Sequence, residues 1–133
     1  EIKEQLSKTQ DALFRATGKV GRYFRPPYGE YDQRVLKIAN SLGLKTINYD
    51  LPSGDPDKRM TKEKLINWVV GKAKPGSIIV MHMNKKGINT AAALPEIISQ
   101  LRQRGFHFVT ISNLIYSTKK KNRSSLKTQF PRE

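Results

Sequence analysis

The amino-acid sequence predicts an α/β fold with parallel strands, on the basis of three observations. After an opening helical segment, strand and helix patterns alternate four times along the chain, as they do in βα units. The run Ser77–Met81 is almost continuously apolar, which is typical of a parallel strand buried on both faces. Four strands cannot close a barrel on their own, so we expect an open sheet or a segment of a larger α/β barrel.

The first third of the chain is predicted to form two helices with a strand between them. The opening helix should end at Gly18, and a short strand follows at Val20–Arg25. Tyr31–Leu42 has apolar residues at helical spacing, with Gly43 as its end. The apolar face of the opening helix consists of Ile2, Leu6, Leu13 and Phe14.

The middle of the chain is predicted to contain a strand, a loop and a helix. Leu44–Tyr49 alternates weakly in hydrophobicity and is assigned as a strand, whereas Leu51–Met60 is rich in Pro, Gly and Asp and is assigned as a loop. Thr61 is a suitable N-cap for the next helix, and Glu63 lies in its first turn. The apolar residues of this helix are Leu65, Ile66, Trp68, Val69 and Val70.

The last part of the chain is predicted to form a long helix, a strand and a short helix. The long helix should be capped by Thr90 and end at Gly105. Phe106–Thr110 has the length and composition of a strand, and Ser112–Tyr116 begins the short helix. We expect the inward side of the long helix to consist of Leu94, Ile97, Ile98 and Leu101.

The composition is strongly basic, with 25 Lys and Arg against 11 Asp and Glu and a formal net charge of +14. Because Lys119–Arg132 is basic and poor in apolar residues, we predict one domain at residues 1–117 and a flexible basic tail at residues 118–133. The charge favours polyanionic partners, but no nucleic-acid motif accompanies it, so specific nucleic-acid binding is not expected. The absence of cysteine excludes disulfides and thiolate zinc sites, and no apolar run reaches transmembrane length.

A proline-rich cluster, Arg25–Tyr31, directly follows the first predicted strand. Active-site residues of βα proteins collect at the carboxyl ends of strands, where this cluster lies. Its two prolines and Gly29 favour a stiff loop that holds Arg25 and a backbone N–H in fixed positions. The alternative is an ordinary proline-rich turn between a strand and a helix.

Two further clusters follow later strands. Asp50–Asp57 is acidic, so it is suited to binding a cation, orienting a histidine or simply forming a solvated turn. His82 ends the apolar strand, where an imidazole beside a carboxylate can act as a general acid or base. A structural role for His82 is the alternative. His107 begins a strand, so we expect it at the opposite rim and interpret it as structural.

Taken in order, these clusters resemble the third, fourth and fifth motifs of the polysaccharide deacetylases, the carbohydrate esterase family 4 with a NodB-type domain. Arg25–Tyr31 matches the Arg-Pro-Pro-Tyr-Gly-x-Tyr motif completely. The strand ending in His82 matches Leu-x-His with Val80 in place of leucine, and Asp55 matches the acidic motif with Pro56 where tryptophan often follows. The resemblance covers about residues 1–115 and implies the C-terminal portion of a NodB-type (β/α) barrel that this chain alone does not close.

The resemblance implies an activity and three catalytic residues. These enzymes hydrolyse the amide bond of N-acetylated sugars, in chitin oligomers or peptidoglycan, with a divalent metal such as zinc. By resemblance, His82 is the general acid that protonates the departing amine, and Asp55 holds His82. Arg25 would orient the aspartate that acts as the base.

The resemblance also implies which residues bind the substrate. The backbone N–H of Tyr28 would donate to the oxyanion, and Val80 would line the pocket for the acetyl methyl group. Pro27 and Tyr31 belong to the same motif and are expected to contact the substrate.

The sequence departs from the family in one respect that bears on catalysis. The family's first two motifs, Thr-Phe-Asp-Asp-Gly and His-x-x-x-His-Pro, supply the base aspartate and all three protein ligands of the metal, and both are absent here. His82 and His107 do not replace them, so no metal ligand set is expected in this chain.

Three functions are compatible with this sequence. The first is a deacetylase fragment that depends on a second chain or a missing N-terminal half, acts on N-acetylated glycans and, by resemblance, works outside the cytoplasm. The second is a non-catalytic protein that binds glycans or other polyanions. The third is nucleic-acid binding through the basic surface.

Overall fold

The computed structural model describes residues 1–118, which fall into two compact units with helices and parallel strands in each. The first unit is Glu1–Asp50, and the second begins at Leu51. The predicted tail lies outside the described residues, apart from residue 118, so it stays a prediction. Among the residues that are described, no helix is long and apolar enough to cross a membrane.

The first unit consists of α1 (Ile2–Thr17), β1 (Tyr23–Phe24), a single 3-10 turn (Pro27–Gly29), α2 (Gln33–Ser41) and β2 (Lys45–Thr46). The two strands are parallel, and Tyr23 is paired with Lys45. The first helix ends where Gly18 adopts a left-handed conformation, as predicted from the sequence. The amide of Gln10 then exchanges two hydrogen bonds with the backbone of Gly21, which fixes the helix against the chain that leads into β1.

The second unit consists of β3 (Leu51–Pro52), α3 (Lys62–Lys72), β4 (Ile79–Val80) and α4 (Thr90–Gln103), and residues 111–118 are also helical. β3 and β4 are parallel neighbours, and the two long helices pack against each other. α3 begins as predicted, since the Thr61 hydroxyl accepts a hydrogen bond from the N–H of Lys64. The core of the unit consists of Leu51, Leu65, Ile66, Val69, Ala73, Ala93, Ile97 and Leu101.

Three sequence predictions about the strands are wrong. β3 lies inside the segment predicted as a loop. It is only two residues long, and its Pro52 is paired with β4 although proline is uncommon in strands. Phe106–Thr110 forms no strand in the described structure, and Phe108 and Val109 are about half exposed there. The run Ser77–Met81 is only half-buried, because within the described residues its strand pairs along one edge, with β3.

The face that α4 buries also differs from the prediction. Ala93 is fully buried and lies beside Ile97 and Leu101 in the core, whereas Leu94 is 38% exposed and Ile98 is half-buried. The small side chain of Ala93 allows α4 to pack closely on α3. The sequence prediction was based on large apolar residues and therefore did not include Ala93.

The fold class predicted from the sequence is confirmed at the level of architecture. The described residues form a mixed α/β structure with parallel strands and no closed barrel.

The α3–α4 contact should dominate the stability of the second unit. Replacing Leu65, which is fully buried, with alanine should lower the free energy of unfolding by roughly 2–4 kcal/mol, because it leaves a cavity in the core. Urea denaturation followed by circular dichroism measures this change. Leu94→Ala is the matched control on the partner helix, and an equal loss in both variants would contradict the assigned core.

Candidate active site

The pairing of β3 with β4 brings two of the sequence-predicted site residues together. In this parallel pair Leu51 is in register with Ile79 and Pro52 with Val80. The N–H of Ser53 continues the ladder by donating to the carbonyl of Val80 at 3.2 Å. Because parallel strands end at the same edge of a sheet, the residues that follow β3 and β4 lie side by side. Asp55 follows the first strand, and His82 follows the second.

The carboxylate of Asp55 is buried and accepts four hydrogen bonds. The residue is only 2% exposed. Its Oδ1 accepts from the hydroxyl of Ser53 and faces Nδ1 of His82, each at 2.8 Å. Its Oδ2 accepts from the backbone N–H of His82 at 2.6 Å and from the hydroxyl of Thr90 at 2.5 Å. Both oxygens are therefore fully engaged by groups of the protein.

These contacts determine the charge of Asp55. Burial acts to raise the pKa of this carboxyl, but hydrogen bonds from Thr90, from the backbone and ring of His82 and from Ser53 act in the opposite direction. Together they hold the pKa of Asp55 below its ordinary value. Asp55 is therefore ionised at neutral pH, although it has almost no contact with water.

The ionised carboxylate determines the tautomer of His82. A carboxylate only accepts hydrogen bonds, so Nδ1 of His82 must carry the proton that points to Asp55. In the neutral imidazole, Nε2 is then the nitrogen with a lone pair. The side chain of His82 is 37% exposed, whereas that of Asp55 is fully buried. The pair thus places an imidazole with a fixed orientation at the surface, where it can accept and donate a proton.

A tight turn after β4 carries the chain from His82 back to Thr90. The N–H of Gly87 donates to the carbonyl of Asn84, and the N–H of Thr90 donates to the carbonyl of Gly87. A Cβ atom on Gly87 would lie 2.1 Å from the carbonyl oxygen of His82 and 2.7 Å from the hydroxyl of Thr90. Only glycine fits this close approach, which brings the start of α4 to Asp55.

The sequence prediction missed two residues that contact Asp55. Thr90 was predicted to cap α4, but the N-cap is Asn89, which makes no side-chain cap, and Thr90 is the first residue of the helix. Its hydroxyl donates a hydrogen bond to Asp55 instead. Ser53 lies two residues before Asp55, a spacing typical of local side-chain hydrogen bonds, and this was the available signal.

The proline-rich loop lies in the first unit. Pro26 is buried, and Tyr28 has a φ of 58°, a left-handed conformation that is unusual for a residue with a Cβ atom. The loop is held by its own backbone hydrogen bonds and by two side chains that follow β2: Asn48 donates to the carbonyl of Gly29, and Tyr49 donates to that of Tyr28. The side chain of Tyr28 is 86% exposed. The loop is therefore stiff, as its composition predicts.

The site residues predicted from the sequence thus fall into two sets. Asp55 and His82 are in direct contact, and Val80 precedes His82 by two residues in β4 of the same unit. The other set, Arg25, Pro27, Tyr28 and Tyr31, lies on the loop of the first unit.

The described residues do not provide a site for a divalent metal. Among residues 1–118, no three His, Cys, Asp or Glu side chains lie close enough together to hold a metal ion. Asp55 is the carboxylate nearest to a histidine, and its oxygens are occupied by protein donors. A divalent metal therefore does not fit the donor set that this part of the chain supplies.

Comparison with known proteins identifies similar domains. The polysaccharide deacetylase family matches residues 1–47. The chain is 31% identical over 123 residues to a peptidoglycan-N-acetylglucosamine deacetylase of Bacillus cereus, which covers 91% of this chain and 44% of the relative. It is also 31% identical over 119 residues to a chitooligosaccharide deacetylase of Azorhizobium caulinodans, over 80% of this chain and 56% of the relative.

A solved structure shows the same fold. The structure of a family 4 carbohydrate esterase pseudoenzyme of Bacillus anthracis superposes with a TM-score of 0.78 at 33% sequence identity, over 86% of this chain and 39% of that one. The resemblance to the polysaccharide deacetylases predicted from the sequence is therefore confirmed, and the chain spans about half the length of the curated relatives it matches.

The close approach at Gly87 predicts a large effect from one methyl group. Gly87→Ala should destabilise the second unit by roughly 1–3 kcal/mol, because the new Cβ atom would clash with the backbone of His82. Gly71→Ala is the matched control: this glycine lies inside α3 with open space around it, so alanine should stabilise by about 0.5–1 kcal/mol. Thermal denaturation of both variants tests the assignment, and a neutral Gly87→Ala would contradict it.

The lowered pKa of Asp55 predicts a pH-dependent contribution to stability. The pKa of Asp55 is lower in the folded protein than in the unfolded chain, where it is about 3.9, so the ionised carboxylate stabilises the fold at pH values above about 3.9. This contribution is lost as the pH falls through the pKa of the folded state. Asp55→Asn should therefore lower stability at pH 7 by roughly 1–3 kcal/mol, and its difference from the wild type should shrink below about pH 4. Urea denaturation between pH 7 and pH 3 measures both.

Asp57→Asn is the control for this experiment. Arg59 holds the pKa of Asp57 at about 2 through a side-chain hydrogen bond, but the pair is exposed. This variant should therefore leave stability at pH 7 nearly unchanged. A constant difference between wild type and Asp55→Asn across the acid range would contradict the assigned ionisation of Asp55.

Proposed function

We propose that this polysaccharide deacetylase-like chain supplies the general acid and its orienting carboxylate to an active site that hydrolyses N-acetylated glycans. The observation that carries the proposal is the contact between the buried, ionised Asp55 and Nδ1 of the partly exposed His82. The relatives named above, a peptidoglycan-N-acetylglucosamine deacetylase and a chitooligosaccharide deacetylase, support the choice of substrate class.

In this proposal His82 transfers a proton at Nε2. When the amide C–N bond of an N-acetylated sugar breaks, the departing nitrogen must gain a proton to leave as an amine. An imidazolium held at Nδ1 by Asp55 can donate that proton from Nε2 and remain as the neutral tautomer that the carboxylate favours. Asp55 keeps its charge throughout, as an orienting carboxylate does in hydrolases.

The loop of the first unit is proposed to bind the reacting group. The backbone hydrogen bonds of the loop are donated by Gly29 and Glu30, and among the described residues the N–H of Tyr28 takes part in none of them. A backbone N–H on a stiff loop is suited to stabilise the negative charge that develops on the amide oxygen, and we assign this role to Tyr28. Pro27 and Tyr31 would contact the sugar, and Val80 would contact the acetyl methyl group.

The remaining chemistry must come from groups outside the described residues. The base aspartate and the ligands of a zinc-like divalent metal are the parts that the sequence motifs of this chain lack. Arg25, which is exposed after β1, is proposed to orient that base. These parts would be supplied by a preceding segment or by another chain, and the proposal requires them for turnover.

A non-catalytic glycan-binding function is the second candidate. It is favoured by the lack of a metal-ligating group among residues 1–118 and by the similarity to a pseudoenzyme of the same esterase family. Two results would support this candidate. The chain would bind an N-acetylglucosamine oligomer equally well with and without a chelator, and a chimera that carries the missing motifs would not hydrolyse the oligomer.

The proposal is tested in a chimera in which this chain replaces the matching segment of the Bacillus cereus deacetylase. The chimera should release acetate from an N-acetylglucosamine oligomer with added zinc and lose this activity with a chelator, whereas the chain alone should be inactive under both conditions. His82→Ala in the chimera should lower kcat by roughly 10²–10⁴-fold, the usual contribution of a general acid.

His107→Ala is the matched control, since it removes the second of the two histidines from an exposed segment. It should leave kcat of the chimera unchanged. Full activity of the chimera with His82→Ala would contradict the proposed role of His82. Zinc-dependent turnover by the chain alone would contradict the proposed need for additional groups.

A further inference from the structure

The hydroxyl of Thr90 lies at the start of α4, and it is directed at the catalytic pair proposed above. Thr90 is 5% exposed, and its Oγ1 donates to Oδ2 of Asp55 at 2.5 Å. Its neighbour Asn89 is also used for a tertiary contact, since its amide donates to the carbonyl of Met60. Neither side chain caps the helix. The two residues at the start of α4 therefore bind the segment that follows β3, which contains Asp55.

The two oxygens of the Asp55 carboxylate have different partners: Oδ2 anchors the carboxylate, and Oδ1 faces the ring of His82. Oδ2 is bound by groups from two different segments, the hydroxyl of Thr90 and the backbone N–H of His82. This arrangement prevents the carboxylate from rotating about its Cβ–Cγ bond. Oδ1 is therefore held toward Nδ1 of His82, with Ser53 as its second donor. Loss of the Thr90 hydroxyl would leave Oδ2 with only the backbone N–H of His82.

We propose that Thr90 is a positioning residue, which acts through Asp55 to hold His82 in the Nδ1–H tautomer with Nε2 directed to the substrate. The catalytic meaning of this role rests on the proposed function, whereas the physical coupling from Thr90 to the His82 ring does not. Thr90 touches no reacting atom, so its effect must be detectable in the imidazole itself.

The ring ¹⁵N chemical shifts of His82 report this coupling in the full chain, because Nδ1–H and Nε2–H tautomers give distinct signals. The chain contains only two histidines, so His107 serves as an internal reference in the same spectrum. In the wild type at a pH where the ring is neutral, His82 should be predominantly the Nδ1–H tautomer. Thr90→Val keeps the branched shape and removes the hydroxyl, so it should shift His82 toward the Nε2–H tautomer.

Thr90→Ser is the matched control, because it restores the hydroxyl and should restore the wild-type tautomer. The signals of His107 should be the same in all three proteins. Thr90→Val should also raise the pH at which Asp55 titrates, seen in its side-chain ¹³C signal, since one donor to the carboxylate is lost. An unchanged His82 tautomer and an unchanged Asp55 titration in folded Thr90→Val would overturn the proposal.

Two features keep the test decisive. If Thr90→Val does not fold, Thr90→Ala removes the same hydroxyl without placing a methyl group against Asp55, and the same two outcomes apply to it. The measurement also needs no turnover, so an inactive chimera would count against the proposed function alone. A wild-type His82 that is predominantly the Nε2–H tautomer would overturn the positioning role in any variant.

Discussion

A charged group without contact to water is stable in a protein only when the protein supplies the donors that water would have supplied. The carboxylate of Asp55 meets this condition with hydrogen bonds from the segment after β3, from the end of β4 and from the start of α4. These three segments must be in place together, because loss of any one leaves the charge under-solvated. The arrangement of the second unit around this carboxylate follows from that requirement.

Local signals in the sequence were sufficient to predict several elements. Gly18 ends α1, Thr61 begins α3 and Gly105 follows α4, since each of these signals acts through the backbone of its own turn. The sequence also predicted that the acidic cluster and His82 follow strands, and parallel strands carry their carboxyl ends to one edge. The alternation of strands and helices therefore predicted the fold class, whereas the pairing of Asp55 with His82 was implied by the resemblance to the polysaccharide deacetylases.

Features that depend on tertiary contacts were not predictable from the sequence. β3 is two residues long and includes a proline, so it exists only because β4 offers the pairing partner. Phe106–Thr110 has the composition of a strand, but composition alone does not supply a partner. Thr90 was predicted to cap α4. Its contact with Asp55 depends on how the start of α4 lies relative to the loop that contains Asp55, 35 residues earlier in the chain.

The carboxylate–imidazole pair and its supporting hydroxyls all lie between Ser53 and Thr90, in one continuous stretch of the second unit. The border between the two compact units falls just before it, between Asp50 and Leu51. Genetic recombination near this border would therefore transfer the Asp55–His82 pair and its supporting hydroxyls together, in one exchange.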